Sequence, residues 1–113
     1  MRFLLFHRLD ERVPDAFTPS EDLVQSVGRF VDEMVRAGVL LCAEGLRPSA
    51  QGARVSVRDG RRTVVDGPFD ADDTVLAGFA LVQVKSKDEA IEWASRFADV
   101  IGDVEMEVRE ITG

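Results

Sequence analysis

Two stretches of this chain repeat one pattern: a short apolar run, an amphipathic helix signal, then another apolar run. In the first, Leu23, Val27, Phe30, Val31, Met34 and Val35 recur at three- and four-residue steps and fall on one helical face. Thr18-Pro19-Ser20-Glu21 precedes them. Thr18 suits the cap, Pro19 the first helical position, and Glu21 stands three residues after the cap. Gly38 ends the segment as a glycine following a helix does. In the second stretch, Ser86-Lys87-Asp88-Glu89 has capping-box spacing, and Ala90, Ile91, Ala94, Phe97 and Ala98 form the inner face up to Gly102. Trp93 stands beside that face and is expected to pack along the helix edge. Each apolar stripe must be buried against another layer, which the flanking runs have to supply.

Those runs read as strands. Phe3 to Phe6, Val39 to Ala43 and Leu76 to Val84 are nearly continuous apolar stretches. Val104, Met106 and Val108 alternate with Glu105, Glu107 and Arg109, the pattern of a half-buried strand. Between the two repeats, Arg54 to Val57 and Arg61 to Val65 flank Arg58-Asp59-Gly60, a hairpin signal. The order β-α-β, hairpin, β-α-β predicts an α+β ferredoxin-like sandwich with an inserted hairpin, as one domain over residues 1–113. Two helices cover only one face of such a sheet. Yet Leu76, Ala80, Val82 and Val84 point one way while Ala77, Phe79 and Leu81 point the other. A sheet apolar on both faces is expected to pair with a second copy, sheet to sheet, as a two-fold homodimer.

The charge balance limits the partners. With 14 basic and 21 acidic residues the formal net charge is −7, which counts against direct nucleic-acid binding and against an anionic membrane surface. No apolar run approaches the ~20 residues of a membrane helix. The apolar N-terminal run is too short for a signal-peptide core, so a cytoplasmic location is expected. The single cysteine, Cys42, cannot form an intramolecular disulfide, and its place in the run Val39 to Ala43 predicts a buried, inert thiol. One histidine, no Cys-x-x-Cys and no glycine-rich phosphate loop give no reason to expect a metal site or a cofactor.

The candidate chemistry gathers at strand ends. Asp66-Gly67-Pro68-Phe69 is a corner in which proline fixes φ, glycine frees the backbone, and the aspartate can take nearby N–H groups. A carboxylate at a rigid corner serves as a turn cap or as a ligand-binding or acid/base group. His7 ends the first strand and titrates near neutrality, so it is a candidate base, or else a strand-end histidine in contact with solvent. Glu44, at the end of the second strand, can line the same cleft or lie on the surface. Arg47, beside Pro48, can clamp an anionic group or be a surface arginine. Phe69 and Phe79 can wall an apolar pocket or belong to the core. Asp70, Asp72 and Asp73 lack the glycine and distal glutamate of a calcium loop and read as a solvated acidic loop.

Met1-Arg2-Phe3-Leu4-Leu5, Glu44-Gly45-Leu46, Val65-Asp66-Gly67-Pro68-Phe69, Gly78-Phe79 and Asp88-Glu89-Ala90-Ile91-Glu92-Trp93-Ala94 occur in the order found in YCII-related proteins of the DGPF type, which the whole chain resembles. The resemblance implies a dimeric α/β barrel built from ferredoxin-like units. It implies either an enzyme of unsettled reaction that uses a histidine and an aspartate, with Asp66 the direct match here, or a regulatory dimer linked to an extracytoplasmic-function sigma factor. The residues themselves admit a small-molecule-binding protein or cofactor-independent enzyme with Asp66, His7 and Glu44 as its polar groups. The chain departs from the family pattern in two places. It has no histidine near the start of the first helix, and no Lys or Arg in the stretch after Phe69.

Overall fold

A computed structural model describes residues 1–69 and 74–113; the acidic stretch Asp70 to Asp73 lies outside the described residues. The elements are β1 (Arg2–Leu9), α1 (Glu21–Arg36), β2 (Leu40–Gly45), a 3-10 turn over Ser49–Gln51, β3 (Ala53–Arg58), β4 (Arg61–Asp66), β5 (Val75–Gln83), α2 (Lys87–Ile101) and β6 (Met106–Glu110). β2, β5, β1 and β6 form, in that order, a four-stranded sheet in which each neighbouring pair is antiparallel; β3 and β4 form a separate two-stranded ribbon. This is the ferredoxin-like α+β arrangement with an inserted hairpin.

Both helices begin on serine caps. Ser86 accepts from the Glu89 N–H at 3.1 Å, and the Glu89 carboxylate reaches back to the Lys85 N–H at 3.0 Å, so the capping-box reading holds with the return bond one residue earlier than usual. The first cap is Ser20, not Thr18: its Oγ accepts from the Leu23 N–H at 3.1 Å, and Pro19 stays outside the helix. Thr18 instead turns its hydroxyl to Asp15, at 3.3 Å. Asp59 (φ 51°) and Gly60 (φ 78°) both take left-handed backbone angles, the primed turn that an Asp-Gly hairpin needs.

The core lies between the helices and one sheet face. Phe3, Leu5, Ala80, Val82 and Val84 meet Phe30 and Met34 of α1 and Ala90 and Ala94 of α2. The helices join through Phe30, whose ring lies 5.2 Å from Phe97 and 5.9 Å from Trp93, and through an Arg96–Glu33 ion pair. Trp93 thus packs along the helix edge, as expected. Alternation along the strands puts Leu4, Phe6, Phe79 and Leu81 on the opposite face, which neither α1 nor α2 covers. A bulge between His7 and Arg8 shifts the parity of β5 near its start, so Ala77 is buried and Leu76 exposed, the reverse of plain alternation. Cys42, opposite Leu81, is exposed and not buried, because β2 is an edge strand and this residue faces away from the helices. No helix among the described residues is long and apolar enough to cross a membrane.

Candidate functional site

At one end of the sheet the inner face runs out of large side chains. His7 pairs with Gly78, Gly78 with Gly45, and Ala80 with Ala43. Among the described residues no large side chain fills the space between this end of the sheet and Leu23, Val27 and Val31 of α1. The result is a cleft of about 550 Å³, closed by Phe17 on one side and by Phe97, Ile101 and Met106 on the other. That volume lies in the range of small-molecule sites.

His7 is the polar group on its inner wall. The ring is half-buried, and burial lowers its pKa from the ordinary 6.5, which favours the neutral imidazole. Among the described residues nothing hydrogen-bonds the ring. A Cβ on Gly78 would sit 3.0 Å from His7 Cε1, so this glycine makes room for the ring. The remaining ionisable groups of the cleft are acidic: Asp15, Glu44 and Asp103 border it, and none of its lining residues is Lys or Arg. Glu44 and Phe79 are paired across β2 and β5, with side chains leaving the sheet on the helix-free face. They belong to the border of the cleft and not to its floor. Among the described residues no three His, Cys, Asp or Glu side chains come together to hold a metal ion.

Arg47 and Phe69 line a different cleft, of about 470 Å³, with Arg8, Arg54, Ser49 and Leu76. The Arg54 guanidinium lies 4.2 Å from the Phe69 ring centre, a cation–π contact. Asp66 is exposed as the last residue of β4, opposite Ala53, and lines neither cleft. The structure therefore places Arg47 with Phe69 in one cleft and His7 in the other, with Glu44 and Phe79 only at that cleft's border on the opposite sheet face, and it does not place Asp66 with His7.

The Asp66–Phe69 corner is built by its neighbours. The buried Ser49 accepts from the Phe69 N–H through Oγ at 2.9 Å, and Gly67 donates its N–H to the Gly52 carbonyl at 2.9 Å. Ser49, not Asp66, takes the Phe69 N–H. Gly67 is required for a different reason from the expected backbone freedom: its φ is not positive, but a Cβ there would lie 1.7 Å from the Ser49 carbonyl oxygen.

A family model for the YCII-related domain matches residues 1–112. The chain belongs to the YCII-related family. An uncharacterized protein of Rhizobium meliloti (strain 1021) is 32% identical over 87 residues, spanning 75% of this chain and 70% of that protein. Within this YCII-related chain, sequence reasoning missed the cleft walls. It assigned Leu23, Val27 and Val31 to the core and treated Gly78 as a motif residue only. The signal was present as the coincidence of Ala43, Gly45, Gly78 and Ala80 on one inner face beside the only histidine.

Proposed function

We propose that this YCII-related protein is a cytoplasmic homodimer that binds a small, largely apolar molecule in the cleft beside His7. One observation carries the ligand reading: a half-buried imidazole, with no hydrogen-bond partner among the described residues and its pKa lowered by burial, faces an apolar cleft of about 550 Å³. The floor chemistry selects the ligand class. An apolar body matches Leu23, Val27, Phe97 and Met106, and one hydrogen-bonding group matches His7. With Asp15, Glu44 and Asp103 at the border and no basic residue in the lining, a neutral or cationic polar end is favoured and an anionic end repelled. If the bound molecule is turned over, His7 is the group that takes a proton near neutrality, without a cofactor. The homodimer is supported by Leu4, Phe6, Phe79 and Leu81 on the uncovered sheet face, and a reducing compartment suits an exposed free thiol.

The test uses three matched probes: phenethylamine, phenethyl alcohol and hydrocinnamate. The amine and alcohol should raise the melting temperature by mass action and the carboxylate should not. Val31→Phe, which fills the cleft, should abolish the shift. Equal shifts in that variant, or none with any probe, would refute the cleft reading. A second reading follows from the net charge of −7 and the resemblance through Asp66 to Phe69: a non-catalytic DGPF-type regulatory dimer with a sigma-factor partner. Salt-dependent binding to a purified extracytoplasmic-function sigma factor, with no probe response, would favour it.

A further inference from the structure

The cleft that holds Arg47 and Phe69 has the opposite sign to the chain around it. The formal net charge is −7, yet the lining of this cleft includes Arg8, Arg47 and Arg54 and, among the described residues, no Asp or Glu. None of these arginines makes an ion pair among the described residues. Arg8 reaches the Thr74 carbonyl at 3.4 Å, a long hydrogen bond. The Glu11 carboxylate stands near the cleft, but it takes the Ser49 N–H at 3.3 Å and lies beyond ion-pair distance of each arginine. Guanidinium groups stay charged at any pH a protein tolerates. Like charges gathered on one cleft are unfavourable unless an anion offsets them.

The Asp66–Phe69 corner builds one wall of this cleft. Ser49 Oγ holds the Phe69 N–H, and the Gly67–Gly52 bond closes the base of the ribbon. The Phe69 ring then becomes a platform for Arg54, whose guanidinium carbon lies 4.2 Å from the ring centre. A contact of this kind occupies a face of the guanidinium plane. It leaves the in-plane N–H fork, the part that grips an oxyanion, without a hydrogen-bond partner among the described residues. The cleft also has apolar walls that the fold leaves open, since Leu46 and Leu76 are 41% and 36% exposed. At about 470 Å³ it is far larger than an inorganic anion and lies in the range of small-molecule sites.

We propose that this cleft is a second binding site, for a small organic phosphate monoester, with the phosphate held by Arg8, Arg47 and Arg54 and the organic body laid against Leu46 and Leu76. The charge count selects the class. A monocarboxylate brings a single charge, whereas a phosphate monoester brings about two and three acceptor oxygens. The site is distinct from the cleft beside His7, with which it shares Leu46 alone and whose border carries Asp15, Glu44 and Asp103. It therefore stands whether or not the His7 reading does.

The experiment is isothermal titration calorimetry of the full chain with phenyl phosphate, in phosphate-free buffer, beside inorganic phosphate and phenethyl alcohol. Phenyl phosphate should bind, more weakly as salt rises, and inorganic phosphate should bind at least about tenfold more weakly. Arg47→Gln and Arg54→Gln should each weaken phenyl phosphate by about tenfold or more. Both positions are exposed, and circular dichroism checks that the variants fold. Arg62→Gln, an exposed ribbon arginine outside the cleft, and Val31→Phe, which fills the His7 cleft, should leave its affinity unchanged. Absence of binding to wild type overturns the proposal, as does equal affinity in the Arg47 and Arg54 variants. Binding lost in Val31→Phe and kept in the arginine variants places the anion in the His7 cleft and also overturns it. Inorganic phosphate binding as tightly as phenyl phosphate overturns the role of the apolar walls. Binding that appears only after Asp70→Asn, Asp72→Asn and Asp73→Asn are combined overturns a site open to ligand in the native chain.

Discussion

Replacing Gly67 with alanine should do far more damage than a methyl group usually does. The new Cβ would lie 1.7 Å from the Ser49 carbonyl oxygen, 2.5 Å from its carbonyl carbon and 3.2 Å from Ala50 Cα. A tolerable carbon–oxygen approach is about 3.4 Å, roughly twice the first distance. No rotamer relieves this, since every offending atom is main chain. The corner must open, and opening it stretches the Phe69 N–H bond to Ser49 Oγ and the Gly67 N–H bond to the Gly52 carbonyl, each 2.9 Å. Two neutral hydrogen bonds are worth about 1 kcal/mol each, and residual overpacking adds about 1–3 kcal/mol. The sum is about 3–5 kcal/mol. With an unfolding entropy of about 2.1 cal/mol/K per residue, each kcal/mol lowers the midpoint by about 4 °C in a domain of this size, so a fall of about 12–20 °C is expected by calorimetry. Because the corner could instead yield locally, hydrogen exchange at the Phe69 amide is measured alongside. Gly52→Ala is the control: its Cβ would meet Ser49 O at 3.6 Å, an ordinary contact, and the change should be neutral or stabilising by up to about 1 kcal/mol. If Gly67→Ala melts with wild type and keeps the Phe69 amide protected, the close approach plays no part in holding the corner.

Two further predictions use single side chains. Burial lowers the His7 pKa below its unfolded value of 6.5, so the unfolded chain binds the proton more readily. This stability contribution is complete above pH 6.5 and is lost as pH falls from 6.5 through the folded-state value. The urea midpoint of wild type should therefore drop on acidification through this window more than that of His7→Gln; parallel curves would show that the ring is not desolvated. Cys42 is exposed on the helix-free face beside Leu81, so a thiol-specific reagent should label dilute native protein without denaturant. If the proposed homodimer forms through that face, labelling should slow as concentration rises. A rate independent of concentration would count against sheet-to-sheet association.

The layers of this fold were readable because each depends on local chemistry repeated over many residues. Ser86 and Glu89 mark one helix start, Asp59-Gly60 one hairpin, and the apolar alternation from Phe3 to Phe6 both faces of a strand. The errors came where tertiary context decided between close alternatives. Thr18 and Ser20 are both good caps, and only the path of the chain through Pro19 selects the second. Cys42 sits in an apolar run, but the edge position of β2 exposes it. The cleft was hidden for a different reason. A site made by side chains that are absent leaves no motif, and Ala43, Gly45, Gly78 and Ala80 are far apart in the chain until β2 and β5 pair. Asp66 illustrates the converse. Its motif stands out because Gly67 has no room for a side chain and Ser49 must receive the turn, so what the motif records is the construction of a corner. That corner fixes where the β3–β4 ribbon ends, while the group whose ring has no hydrogen-bond partner among the described residues and borders an open cleft is His7. On physical grounds the proposed site for a neutral or cationic ligand is therefore sought at the end of β1, beside Gly78, and not at the Asp66 corner.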